Sequence, residues 1–395
     1  MKTKDTLLIY VDVMERYHFF KRFINPLKEL GYEVLIVTGR LSIYLLSKNF
    51  AVKVLLLKNI EVKDWTKCHL DDSLSVLNAY HSFDEACTIY NNVLQQLNSS
   101  GLNIDAVFIW NGTTTIARAI SDFAIDHNIK RYYFEISNLG SKVFVDKEGV
   151  NAKSYLSKHP EILDNVNPND ACFDKWREEW YRNYTMPKQS KNSTKVPYSF
   201  FIDLIGFIFF NALREDRRSA FSILTKKIFL KQKSKKVKYE NALPERYIFL
   251  AMQVSDDSQI KLNSDISNLE ALKIALKMAQ KKGVPLVVKL HPAEADLDFI
   301  EKVFTLSRND SFMITDLPGN HLIENAEEVV VINSTIGLEA LILEKKLTIL
   351  GRTFYKNFDI QRIKSYICHY LVDIDYFDRK EKLSWQVVQK VLNKV

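Results

Sequence analysis

The densest polar cluster of the chain, "QVSDDSQI" (253–260), stands directly behind the apolar run "RYIFLAM". It sets Gln253, Asp256, Asp257, Ser258 and Gln259 within one short stretch. Three other clusters share that placement. His291-Pro292 follows "PLVVKL", Asn333-Ser334-Thr335-Ile336-Gly337 follows "EVVVI", and Asn111-Gly112-Thr113-Thr114-Thr115 follows "DAVFIW". Glu135 lies near the end of "KRYYFEIS". Adjacent carboxylates offer a base or a nucleophile against a carbon that is losing a phosphate. Backbone N–H groups and hydroxyls at Ser334 and Thr335 suit that phosphate, and Gly337 would let the backbone approach it closely. His291 would donate to a phosphate oxygen as charge builds there. Singly, each cluster has an ordinary role: Ser, Thr, Asn and Asp at helix starts cap, and a lone His before Pro is commonly structural. Their joint position at strand ends is what points to a site, because open α/β sheets bind ligands beyond the carboxyl ends of their strands.

The elements that must position these groups fall into two series. "TLLIYVDV" (6–13), "EVLIVTG" (33–39), "VKVLLL" (52–57), "DAVFIWNG" (105–112) and "KRYYFEIS" (130–137) are short apolar runs typical of strands covered on both faces. Helical periods separate several of them, and Pro26 predicts a kink or boundary in the first. A second strand–helix series begins at "RYIFLAMQV" (246–254). The expected boundaries are a Rossmann-like acceptor-side domain over 1–155, a helical connecting segment over 156–245, a Rossmann-like donor domain over 246–365 and a helical tail over 366–395.

At 395 residues, 47% hydrophobic and 26% charged, the chain can build two cores. Four scattered cysteines (Cys68, Cys87, Cys172, Cys368) argue against a disulfide framework or a zinc site and favour a reducing compartment. The start, "MKTKDTLLIYVDV", predicts a strand rather than a signal peptide, and the expected location is the cytoplasm. Neither G-x-x-x-x-G-K-[ST] nor G-x-G-x-x-G after the first strand is present, which argues against a Walker-type ATP site and a dinucleotide oxidoreductase.

The net charge of +7 is concentrated: residues 211–238 hold ten Lys/Arg against two acids. Just before them stands "SFFIDLIGFIFF" (199–210). On a helical wheel, Asp203, Gly206, Asn211, Arg214 and Arg218 share one arc and apolar residues fill most of the rest. Two readings are open, an interfacial helix on an anionic leaflet or a core helix packed between the lobes. The basic stretch lacks a nucleic-acid-binding module.

"LAMQVSDDSQI", "VVKLHP" and "NAEEVVVINSTIGLEALILEKKLTILGRTFY" resemble the C-terminal lobe of the bacterial capsule-polysaccharide biosynthesis proteins. These are the Kps/Lip-type β-Kdo transferases, with related β-Kdo transferase modules of O-antigen assembly. "WNGTTTIARAI" and "YYFEISNLGSKVFVDKEGVNAKSYL" resemble the N-terminal lobe. The resemblance covers roughly residues 104–155 and 246–356. It implies an α/β, GT-B-like enzyme with two Rossmann-like domains facing a central cleft. It further implies a CMP-β-Kdo donor, no metal, and retention through a carboxylate adduct. By motif, Asp257 is the implied nucleophile, with Asp256 able to replace it. Glu135 is the implied general acid/base, and His291 with Ser334 and Thr335 hold the CMP phosphate. Gln253 and Gln259 orient the sugar or Asp257. Ser258, Lys289, Pro292, Asn333 and Gly337 complete the donor set, and Asn111 and Thr113 contact acceptor or donor.

The implied partners are a CMP-sugar donor, a lipid-linked or oligosaccharide acceptor and an anionic inner-membrane surface, on which the protein would be peripheral. "ISNLG" replaces the family's glycines after Phe-Glu, and residues 155–245 do not align. A CMP-sialic acid transferase and a non-catalytic capsule-assembly scaffold are the competing readings.

Overall fold

The computed structural model describes residues 5–167, 170–185, 198–213, 215, 239–310 and 312–394. These form two α/β units. In the first, β1 (Thr6–Tyr10), β2 (Glu33–Thr38), β3 (Lys53–Leu56), β4 (Ala106–Trp110) and β5 (Lys130–Ile136) run parallel in the order 3-2-1-4-5. β6 (Lys142–Asp146) then pairs antiparallel with β5, Glu135 opposite Phe144. Every residue of β1 and β4 is buried, as expected of strands covered on both faces. Phe19, Phe20 and Phe23 pack edge-on or tilted against Phe108, Trp110 and Phe134 in the core of this sheet.

The second unit repeats the order. β7 (Ile248–Ala251), β8 (Leu286–Lys289), β9 (Met313–Ile314), β10 (Glu328–Val331) and β11 (Lys346–Ile349) are all parallel, arranged 9-8-7-10-11. A capping box of Ser267 and Glu270 starts the helix Asn268–Lys282, and Gly283 ends it at φ +66°. Both sheets thus have Rossmann-like order, with the strand direction of travel switching between β1 and β4 and between β7 and β10.

The tail is not simply helical. Residues 369–395 belong to the first unit: β12 (Val372–Asp373) pairs antiparallel with β6, and the helix Trp385–Leu392 buries Val388, Val391 and Leu392 in its core. Among the described residues of the connecting segment, 198–213 and 215 also belong to the first unit and 157–167 and 170–185 to the second, so that segment is divided. Pro26 lies within the helix Ile24–Glu29, and the break falls earlier, in a 3-10 turn over Lys21–Phe23.

The cysteine expectation needs correcting. Cys68 and Cys87, with Cα atoms 6.0 Å apart, form a disulfide. Their spacing gave no signal because the pairing depends on residues 58–66 lying along the helix Phe83–Ser99. That helix offers Asn91, Asn92, Gln95 and Gln96, whose amides bond the backbone of Thr66, Ile60, Lys63 and Lys58.

The aromatic helix, Tyr198–Phe209, turns its polar arc inward and much of its apolar surface outward. Asp203 faces inward, accepting from the Ser42 N–H at 2.9 Å and from Arg40 at 3.1 Å. Gly206 is buried against Leu41, where an added Cβ would come within 2.6 Å. Phe201, Leu204, Ile205, Ile208 and Phe209 are exposed, Phe209 to 76%. Arg214, Arg218 and the lysines of 226–238 lie outside the described residues. Among the described residues no helix is long and apolar enough to cross a membrane.

Candidate functional site

Two polar clusters occupy the carboxyl ends of the two sheets. In the second unit, Gln253 and Asn333 follow the two strands that flank the switch point. Both are buried, and they bond each other twice. Gln253 Nε2 donates to Asn333 Oδ1 at 3.0 Å, and the Asn333 N–H donates to Gln253 Oε1 at 3.2 Å. Asn333 Nδ2 then reaches the carbonyls of Gln259 (2.9 Å) and Asn263 (3.2 Å). The pair therefore fixes the short helix Ser258–Asn263 beside the loop after β10. Gln259 is used within that helix, accepting from Asn263 Nδ2 at 2.8 Å.

Asp257 is the N-cap of this helix: its Oδ1 accepts from the Gln259 N–H at 2.7 Å, and its Oδ2 from Gln253 Nε2 at 3.3 Å. Asp256, one residue earlier, is exposed and pairs with Lys261. The two carboxylates are thus physically distinct. Asp257 is oriented from both oxygens by elements that hold the sheet end together, while Asp256 sits in a solvated ion pair.

His291 is exposed after β8. The Ala293 N–H donates to its Nδ1 at 3.1 Å, which makes Nε2 the protonated, donating nitrogen of the neutral ring. Glu294 is a residue that motif reasoning missed. Buried, it accepts from the Ser255 N–H (2.6 Å) and hydroxyl (2.7 Å) through one oxygen. Through the other it accepts from the N–H groups of Ala295 (2.8 Å) and Asp296 (2.9 Å). It ties the Asp256–Asp257 loop to the His291 loop. The only hint in sequence was an acid three residues past the histidine.

The remaining donor-set residues have varied placements. Ser334 is half-buried, its Oγ accepting from the Ile336 N–H at 3.3 Å, and Thr335 is exposed. The space left by Gly337 is filled by Tyr355, whose hydroxyl bonds the Ser334 carbonyl; a Cβ would lie 2.6 Å from that oxygen. Close backbone approach at Gly337 thus serves packing by a phenol. Lys289 reaches across the sheet end to the carbonyls of Asp316 (2.9 Å) and Leu317 (2.6 Å), just beyond the neighbouring β9. Ser258 is half-buried in the first turn of its helix, and Pro292 is exposed.

In the first unit, the turn after β4 puts Asn111 at φ +63° and Gly112 at φ +77°. A Cβ on Gly112 would meet the Tyr133 ring at 2.8 Å, so the turn requires glycine there. The turn carries Asn111 across to β5, where its Nδ2 donates to Glu135 Oε2 at 2.5 Å; the Ile136 N–H donates to Oε1 at 3.0 Å. Burial pushes the Glu135 carboxyl above the usual range, against the opposing pull of the Ile136 N–H, Arg16 and Asn111. Thr113 is buried, and its Oγ1 meets no partner among the described residues.

A second carboxylate at this sheet end, Glu215, was invisible in sequence because it lies in the basic run. It accepts from the Ser75 hydroxyl (2.8 Å), the Ile116 N–H (3.2 Å) and the Tyr10 hydroxyl (3.4 Å). It thereby satisfies a donor at the start of the helix Thr115–Asp126. Nearby, Asp12 pairs with Arg16, and Arg40 bonds the Asp12 carbonyl.

Two Rossmann-like sheets with polar clusters at their switch points define an α/β protein whose ligand-binding positions lie at the carboxyl ends of its strands. The sequence profile described as "Capsule polysaccharide biosynthesis protein" matches residues 105–362, and the chain belongs to that family. It is 32% identical over 127 residues to the "Capsule polysaccharide export protein KpsS" of Escherichia coli, covering 29% of this chain and 32% of that relative. The matched region thus spans about a third of the relative's length. Among solved structures, "Thermosulfurimonas dismutans KpsC, beta Kdo 2,7 transferase" matches with a TM-score of 0.46 and 14% identity, covering 98% of this chain and 99% of that one. The corresponding beta Kdo 2,4 transferase gives a TM-score of 0.41 at 14% identity, over 73% and 88%.

Proposed function

We propose that the chain is a retaining β-Kdo glycosyltransferase of surface-polysaccharide assembly, taking Kdo from CMP-β-Kdo to a lipid-linked or glycan acceptor. The observation that carries this is Asp257, held by a backbone N–H and by Gln253 at the switch point of the second sheet, on a loop clasped through Glu294 to that of His291.

On this reading, an Asp257 oxygen attacks the anomeric carbon of Kdo and the bond to the CMP phosphate oxygen breaks. CMP leaves with the electron pair, its charge met by His291 Nε2–H and by the hydroxyls of Ser334 and Thr335. The acceptor hydroxyl then attacks the same carbon, its proton passes to Glu135, and Asp257 leaves. Two inversions give net retention. The raised Glu135 carboxyl suits a group that must take up a proton near neutral pH. The step invokes no metal.

Intact-mass spectrometry after incubation with CMP-Kdo generated in situ tests the reading. An increase of one Kdo residue, mapped to the peptide holding Asp256 and Asp257, is the expected result. Turnover with CMP-sialic acid and no Kdo adduct would move the enzyme to sialyl transfer, and no turnover with either would leave an assembly scaffold.

The same reading places the protein peripherally on an anionic membrane. It is supported by the helix Tyr198–Phe209, which turns its one acid inward and its aromatic residues to solvent, just ahead of ten Lys/Arg in 211–238. Co-sedimentation with phosphatidylglycerol vesicles should fall sharply in a Phe201→Ser/Phe209→Ser variant. Equal binding by that variant and the native chain would remove this helix from the membrane reading.

A further inference from the structure

Beside Asn111, the first unit carries a small, partly open polar pocket of about 70 Å³. Its lining includes Asn111, Thr113, Arg118, Tyr133, Glu148 and Lys153. Three polar atoms on it are buried with no partner among the described residues: Asn111 Oδ1, Thr113 Oγ1 and Arg118 Nε. Such atoms are costly to bury unless something arrives to bond them.

The two cations of the cavity already hold one carboxylate. Arg118 Nη2 bonds Asp72 Oδ1 at 2.9 Å, and Lys153 Nζ pairs with the other Asp72 oxygen. Asp72 itself comes from the exposed stretch ahead of the helix Leu74–Leu77 and is half exposed, so it can withdraw without opening the core. Arg and Lys converging on one carboxylate form an oxyanion receptor, and both also line the cavity, at whose edge Asp72 holds them from outside the lining. The pocket has room for a carboxylate or phosphate group.

We propose that this cavity is an anion subsite for the acceptor, which takes the carboxylate or phosphodiester next to the reacting hydroxyl and displaces Asp72 from Arg118 and Lys153. The placement follows from Asn111, which lines the cavity and also bonds Glu135. The anchored anion thus sets its neighbouring hydroxyl toward the group that takes its proton. The acceptor role rests on the transfer reading above; the anion-binding property does not.

The test is calorimetric titration of the donor-free protein with three probes: methyl β-Kdo glycoside, its neutral methyl ester, and glycerophosphoglycerol. Either anion should bind while the ester does not, and which one binds identifies sugar carboxylate or phosphodiester as the source. Arg118→Gln should weaken binding at least tenfold. Asp72→Asn should strengthen it severalfold, a gain that a misfolded variant or a purely structural ion pair would not give. Equal binding of anion and ester, no binding of either anion, or weaker binding by Asp72→Asn would each overturn the subsite. Formation of the Kdo adduct is measured on the same samples. Its loss with anion binding intact would sink the transfer reading alone, and its persistence without anion binding would sink the subsite alone.

Discussion

Asn111 reaches across from the end of β4 to bond the Glu135 carboxylate on β5 at 2.5 Å, and it does so from a left-handed backbone at φ +63°. The contact keeps one carboxylate oxygen oriented while burial keeps the group easy to protonate. Glu135→Gln should lower transfer to an acceptor by about 10²–10⁴-fold, the usual contribution of a general base. The adduct with donor alone should still form in this variant. If adduct and transfer fall together in a folded Glu135→Gln protein, Glu135 is not the acceptor's base.

Asp257 caps a helix, so its chemistry and its structural role need separating. Asparagine caps about as well as aspartate. Asp257→Asn should therefore melt within a degree or two of the native protein yet form no Kdo adduct, whereas Asp256→Asn should form it normally. An adduct on Asp257→Asn would pass the nucleophile role to Asp256.

Gly337 is set by its neighbour. Adding a methyl there drives it to 2.6 Å from the Tyr355 hydroxyl, which also anchors the Ser334 carbonyl. Gly337→Ala should destabilise the protein by about 1–3 kcal/mol, the usual cost of overpacking. Tyr355→Phe, losing one hydrogen bond, should cost about 1 kcal/mol. Denaturant unfolding measures both, and an unchanged midpoint in Gly337→Ala would mean the phenol moves aside freely.

Glu215 makes stability depend on pH in an unusual direction for a carboxylate. Burial, aided by Asp12, raises its pKa against the opposing bonds from Ser75 and Ile116. The unfolded chain therefore releases this proton near pH 4.3, before the folded protein does. Stability falls as pH rises through that interval and stays lower above the folded pKa. Glu215→Gln should flatten this loss across a series of thermal melts from pH 4 to 8. A steeper fall in the variant would show that the bonds to the ionised carboxylate outweigh its burial.

The five parallel strands of the first sheet could be read from short apolar runs, because strands covered on both faces need little else in sequence. β12 could not, since two residues leave no run, and β6, though its "KVFVD" is as long as β1 and β4, is not among the runs read as strands. Gln253 and Asn333 stood out as polar residues at strand ends, but their bonding to each other depends on strand order, which brings positions 80 apart together. Glu215 and Glu294 were hidden for another reason. One looks like a minority charge in a basic run and the other like a surface acid, and only folding turns them inward. The outward apolar face of Tyr198–Phe209 belongs with these, because a wheel shows which residues share an arc and not which arc meets the protein.

The return of residues 369–395 to the first unit bears on how the chain is made. Tyr132 on β5 bonds the Leu392 carbonyl, 260 positions away, and β6 waits for β12 to cover its open edge. Chains emerging from a ribosome fold from the front, yet here the unit begun first is completed after the second unit has been synthesised. Until then β6 presents one unpaired edge to its surroundings. A ribosome halted before residue 372 would therefore release a chain that is sticky at its earliest-made sheet.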